Sequence, residues 1–132
     1  MSTLNKRSVQ GVLVKLLHHT RVDRGMTLAP YESRCLRRGE IHELVTTDQS
    51  AGPGRTRIDR VGFLGFLEIT RGGVVEVGDQ MLHEGRVLGL VLGFDECHFP
   101  NHYNILITTE RILTATEASL RVEDSVQFQN QA

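Results

Sequence analysis

Between Gly93 and Asn104 the chain reads Gly-Phe-Asp-Glu-Cys-His-Phe-Pro-Asn-His-Tyr-Asn. Two imidazoles, a thiol, two carboxylates and two carboxamides fall between Asp95 and Asn104. Cys97, His98 and His102 form a ligand set for a divalent transition metal such as zinc, with Asp95 or Glu96 as an oxygen donor. Spacing limits how they can meet. Histidines at i and i+4 share a helix face, but Pro100 between them forbids a regular helix. In a continuous strand they would stand ~13 Å apart, too far to share an ion. Only a turn brings them together. Phe99-Pro100-Asn101-His102 fits a β-turn, with Pro second and Asn third. In a tight two-residue hairpin, Cys97, Phe99, His102 and Asn104 share one face and Glu96, His98 and Tyr103 the other, so the two imidazoles point apart. Pro-Asn favours type I or II turns, which match strand twist poorly, so a wider loop is the alternative.

The same residues suit proton transfer without a metal. His98 or His102 is the candidate base, with Asp95 or Glu96 raising its pKa and fixing its tautomer. Tyr103, Asn101 and Asn104 are placed to orient a polar substrate or stabilise a developing oxyanion. Cys97 acting as a nucleophile needs activation by a histidine that the sequence does not show. A structural reading competes with all of these: a hydrogen-bonded loop whose side chains cap backbone groups, with Cys97 as a small buried hydrophobe.

Outside this stretch the chemistry is thinner. Arg55 and Arg57 fall on one face of a strand leaving a glycine-rich loop, and Arg34 and Arg38 stack at i, i+4 on an expected helix. Together they can hold a carboxylate or phosphate of a small substrate. The competing expectation is pairing with acids such as Asp59 or Glu68. His18 and His19 alternate at the end of the first strand, so one of them should face inward. His42 and His83 read as surface or rim residues. Gly72-Gly73 has no following helix and no phosphate-loop pattern.

The elements that must position these groups are short apolar segments bounded by glycines and polar turns, which makes the class mainly β. Strands are expected at 10–19, 41–47, 55–60 running into 61–70, 73–77, 86–94, 103–109 and 111–117, the last continuing weakly through 118–126. Residues 61–69 and 87–94 are apolar on both faces and should be covered on both sides, by a closed barrel, a sandwich or a dimer interface. Glycines at 62, 65, 85, 89 and 93 suit sharp bends or close backbone approach. One short helix is expected over 30–38, with Pro30 at its first position and Gly39 as its left-handed cap. Residues 48–54 read as a flexible loop.

Composition narrows the function classes. A chain of 132 residues is one domain able to build its own core. Fifteen basic against sixteen acidic residues give a formal charge of -1, which leaves no field for unspecific binding to nucleic acid or to an anionic membrane. Two cysteines, Cys35 and Cys97, are too few for a disulfide scaffold and fit a reducing cytoplasm. No apolar run approaches a membrane span, and residues 1–7 carry no apolar leader segment. The excess of arginine over lysine points to a GC-rich bacterial coding sequence.

Two resemblances add to this reading. Val75-Glu76-Val77-Gly78-Asp79-Gln80 with Gly85-Arg86-Val87-Leu88-Gly89 resembles the turn of biotinyl and lipoyl carrier barrels. Those carriers need a lysine at a hairpin tip, and the only lysines are Lys6 and Lys15. The resemblance implies a tight β-turn and argues against a carrier. The run Gly-Phe-Asp-x-x-His-x-Pro-Asn-His-x-Asn at 93–104 resembles the signature of a small uncharacterised bacterial family of single-domain proteins, which implies no activity.

The expectation is therefore a single domain over 1–132, a small closed or partly open β-barrel with one short helix, or else a β-sandwich. Its expected function is binding of a small polar metabolite, with His-centred acid–base or metal-assisted chemistry by His98, His102, Glu96 and Tyr103 and substrate contacts from Asn101, Asn104, Arg55 and Arg57. The alternative is a noncatalytic ligand-binding or assembly module, in which doubly apolar strands form a homo-oligomer interface. Either form is expected to be cytoplasmic.

Overall fold

The computed structural model describes residues 5–50, 56–98 and 101–131. In chain order the strands are β1 (Val9–Leu16), β2 (Thr20–Arg21), β3 (Met26–Thr27), β4 (Ser33–Leu36), β5 (Ile41–Thr47), β6 (Arg57–Ile58), β7 (Val61–Arg71), β8 (Gly73–Glu76), β9 (Gln80–His83), β10 (Arg86–Asp95), β11 (Asn104–Thr108) and β12 (Ser125–Gln129). Seven of them pair in the order β1-β12-β9-β10-β11-β5-β7, and β7 pairs back to β1 to close a ring, with β2 added at the edge of β7. Two small ribbons, β3–β6 and β4–β8, stand outside that order. The pairing of β11 with β5 is parallel; the other described pairings are antiparallel.

β7 and the second half of β10, from Val91 to Asp95, are largely buried by the chain itself. Leu44, Leu64, Leu67, Phe94, Ile105 and Ile107 join the main core with Leu13, Met81 and Phe128. Their neighbours Val45, Phe63 and Leu106 project the other way and form a second cluster with Met26, Leu28 and Ile58 of the β3–β6 region. Strand alternation sorts adjacent residues between the two cores. β7 is buried almost throughout, whereas β10 starts exposed at Arg86 and Val87 and becomes buried only toward Asp95.

Close approach explains one glycine directly. Gly65 has φ of 148°, and a Cβ there would collide with the Lys15 carbonyl of β1. The β1–β7 register shifts beside it, between Leu13 and Lys15. Only glycine suits both demands.

The expected helix over 30–38 does not form, and no helix is present among the described residues. Its central residues are β4, which pairs with β8 in the register Cys35↔Val74 and buries Leu36 in the main core. Nine residues are too few to hold a helix against that pairing. Gly39 does take the left-handed conformation, φ 94°, but in a turn following a strand. The expected strand over 111–117, with its weak continuation to 126, is also replaced. Thr114 donates from both its backbone N and Oγ1 to Glu117 Oε1, at 2.7 and 2.8 Å, and the Ala118 N–H returns to the Thr114 carbonyl. This Thr-x-x-Glu box reverses the chain into turns before β12 begins. Residues 51–55 of the expected loop lie outside the described residues. No described helix is long and apolar enough to cross a membrane.

Candidate functional site

The last pair between β10 and β11 is Asp95↔Asn104, so residues 96–103 form their connection. Phe99 and Pro100 lie outside the described residues. The Asn101 and His102 N–H groups both donate to the His98 carbonyl, at 2.8 and 3.3 Å. This is the wider loop rather than the two-residue hairpin, in which His98 and His102 would point apart. Their rings stack instead, with centroids 4.9 Å apart.

The third member comes from a distant strand. Parallel pairing sets Asn104 opposite Glu43 of β5, and the Glu43 N–H donates to the Tyr103 carbonyl at 3.0 Å. Because Leu44, Ile105 and Phe94 face the main core, alternation sends Glu43, Asn104 and Asp95 to the opposite face, toward β3. There one donor atom each from Glu43, His98 and His102 lie within 4.8 Å of one another. His102 Nε2 is 3.7 Å from Glu43 Oε1, is buried, and has no hydrogen-bond partner. Phe66, the cross-strand partner of Glu43 on β7, sets its ring edge-on to His102 at 5.2 Å.

Electrostatics shift two of these donors toward their neutral forms. Burial raises the pKa of Glu43, and the Asp95 charge adds to the rise, while the Arg24 guanidinium opposes it. Burial lowers the pKa of His102, as do His98 and His42, with a smaller opposing contribution from Asn104. A carboxylate that resists ionising and an imidazole that resists protonation are desolvated groups lacking their counter-charge.

Asp95 supports the site. Burial works to raise its pKa, but hydrogen bonds outweigh it and hold the carboxyl below its ordinary range. It accepts from the Thr27 N–H (3.0 Å), the Cys97 N–H (3.0 Å) and Asn104 Nδ2 (3.1 Å), tying β3, the loop and β11 together. Asn104 Oδ1 is buried without a partner. Cys97 does not join the cluster: its Sγ accepts from Arg24 Nη2 and Asn104 Nδ2, each at 3.4 Å. Burial and then Asp95 raise its thiol pKa, the opposite of what an activated nucleophile needs.

The remaining expected site residues separate. Glu96 forms an ion pair with Arg34, whose Nη1 donates to the Tyr103 hydroxyl at 3.1 Å and whose guanidinium lies over the Tyr31 and Tyr103 rings. Arg34 therefore sits on a strand in a cation–π stack, not on a helix with Arg38. Asn101 is exposed, with its carboxamide nitrogen 3.0 Å from His102 Nδ1. Arg57 pairs with Asp59 at 2.8 Å on the surface, as the competing expectation had it; Arg55 lies outside the described residues.

Four other histidines depart from expectation. His42 is buried, not at the rim: Tyr103 stacks on it, the Tyr103 N–H donates to its Nδ1 (3.1 Å), and its Nε2 is 3.2 Å from Glu40. Burial lowers its pKa against the pull of Glu40. His83 is buried beside Asp124, Nε2 to Oδ2 2.8 Å. His18 and His19 are both exposed, since β1 ends at Leu16 before the alternation reaches them.

Two residues that sequence reasoning passed over complete the cluster, Glu43 and Arg24. An acid inside the apolar run Ile41–Thr47 was the available signal for the first. Arg24 offered none, because its relation to the loop is entirely tertiary.

The chain belongs to a family of unknown function (DUF6917), whose model matches residues 3–129. No curated protein and no solved structure matches it significantly.

Proposed function

We propose that this protein is an enzyme acting on a small polar metabolite through a divalent transition metal held by Glu43, His98 and His102. The observation that carries this reading is the convergence of three donor atoms within 4.8 Å around His102 Nε2, which is buried and unpartnered. A tetrahedral ion with bonds of about 2.0–2.1 Å places its donors roughly 3.4 Å apart, so small side-chain rotations close the set. Two imidazoles and a carboxylate suit zinc, iron or manganese and leave coordination positions for substrate or water. When bound, such an ion acts as a Lewis acid and lowers the pKa of its water. Glu43 and His102 supply ligands that burial already disposes to seek a positive charge. Asp95, through Thr27, Cys97 and Asn104, fixes the loop that carries both histidines.

In this reading the closed ring of strands serves as a small cytoplasmic β-barrel whose outer face, under the β3–β6 ribbon, carries the centre. A second reading, acid–base chemistry by the Glu43–His102 pair without metal, is favoured by the opposite pKa shifts of the two groups. Elemental analysis of protein purified without chelators separates the two. About one transition ion per chain, lost in Glu43→Gln, supports the metal centre. Metal-free protein that takes up no ion supports the pair.

A further inference from the structure

Only two arginines among the described residues are half-buried, Arg24 and Arg34. Arg34 has a carboxylate partner, Glu96. Arg24 has none within ion-pair distance among the described residues. Its Nη2 lies against Cys97 Sγ at 3.4 Å and His98 Nε2 at 3.0 Å. Both are weak, neutral acceptors for a guanidinium, whose strong partners are oxyanions. The position is nevertheless built. The Arg24 N–H donates to the Asp59 carbonyl at 3.1 Å and the Gly25 N–H to Asp59 Oδ1 at 3.0 Å, so Asp59 pins the backbone beneath the side chain twice.

We infer that Arg24 is the substrate's anion-binding residue, and that the substrate is a small molecule bearing a carboxylate, held between the guanidinium and the Glu43–His98–His102 centre. The inference rests on the metal reading of that centre. A guanidinium beside a dication is repelled unless an anion lies between them, and an ion arriving at His98 competes with Arg24 for its ring. A carboxylate resolves both conflicts by giving Arg24 a charged partner next to the ion. A single guanidinium fork matches the two oxygens of a carboxylate. Among the described residues no helix is present to add N-terminal donors for a phosphate.

Cobalt(II)-loaded protein provides the test, since its visible absorption reports both ion uptake and changes around the ion. Glycolate should perturb the spectrum saturably, and its neutral isostere glycolamide should not. Arg24→Gln should weaken the glycolate response by about 10-fold or more, the worth of a charge-assisted hydrogen bond. The same variant should bind cobalt(II) at least as tightly as the wild type, because it removes a neighbouring positive charge; a merely structural arginine would not separate the two readouts in this way. Equal responses to glycolate and glycolamide, or an unchanged glycolate titration in Arg24→Gln, overturn the inference and leave the metal centre standing. Failure of the wild type to take up cobalt(II) overturns both.

Discussion

Among the described residues two clusters bring three histidine and carboxylate groups together, and they are built to opposite ends. At His83 the ring donates its Nε2 side to Asp124 at 2.8 Å, and Asp124 also accepts from the Arg121 N–H at 3.0 Å. The unpartnered Nδ1 is on the other edge of that ring, away from the acids. At His102 the unpartnered nitrogen is the one that faces the acid, 3.7 Å from Glu43. The first arrangement is a finished hydrogen bond that ties β9 to the turn before β12. In the second, His102 Nε2 faces Glu43 with no hydrogen bond between them. Residue types alone do not separate the two, since both bring three such groups within 4.8 Å. What separates them is whether the polar atoms already satisfy one another.

That contrast breaks most easily by removing each histidine. His102→Ala should weaken transition-metal binding by about 100-fold or more, the share of one ligand among three. His83→Ala should leave metal binding unchanged. Instead it should destabilise the fold by about 1–3 kcal/mol, because it removes a buried hydrogen-bonded ring, which denaturant unfolding will show. If His83→Ala abolishes metal binding and His102→Ala does not, the assignment of the two clusters is reversed.

The acids sharpen the comparison through pH. Burial raises the Glu43 pKa, so its protonated form is the one the metal-free fold favours. Its contribution to stability is fully present below the ordinary glutamate value and is lost as pH rises through the raised one. Glu43→Gln should therefore stabilise the metal-free protein at neutral pH, by about 0.5–2 kcal/mol, while abolishing metal uptake. The Asp124 pKa is lowered, chiefly by the hydrogen bond from His83. Its contribution is present above the ordinary aspartate value and is lost as pH falls through the lowered one. Thermal unfolding of metal-free wild type and Glu43→Gln across pH 3–8 should show the Asp124 loss at the acid end in both, and the Glu43 loss toward neutral pH in the wild type alone.

The smallest effect belongs to Arg57. Its pairing with Asp59 on the surface predicts that Arg57→Ala changes stability by less than about 1 kcal/mol and leaves metal and glycolate titrations unaltered. A glycolate response that falls as far as in Arg24→Gln would move the anion site from Arg24, before β3, to Arg57 of β6.

Two of the longer strands, β5 and β7, and the loop are legible in the sequence because their signals are local. The run Ile41–Thr47 matches β5 to the residue, and 61–70 differs from β7 only by Arg71. The loop at 96–103 was marked by its own composition. Glu43 was not, since it is brought to His102 by the parallel pairing of β5 with β11, a contact between segments some sixty positions apart whose register no local pattern encodes. Pro30 and Gly39 are the signals of a helix start and a helix cap. β8 overrode them by offering Ser33–Leu36 a complete edge to pair with, and Gly39 kept its left-handed turn. His42 looked like a rim residue because a histidine between Ile41 and Glu43 carries no sign of the Tyr103 ring that covers it.

The central claim is that the ion is held by Glu43, His98 and His102 and not by Cys97. X-ray absorption at the zinc edge of zinc-loaded protein tests it directly, because Zn–S and Zn–N/O bonds differ by about 0.2–0.3 Å. The account predicts a shell of nitrogen and oxygen only, with the outer scattering of two imidazoles. A sulfur neighbour at about 2.3 Å, or no bound zinc at all, would contradict it.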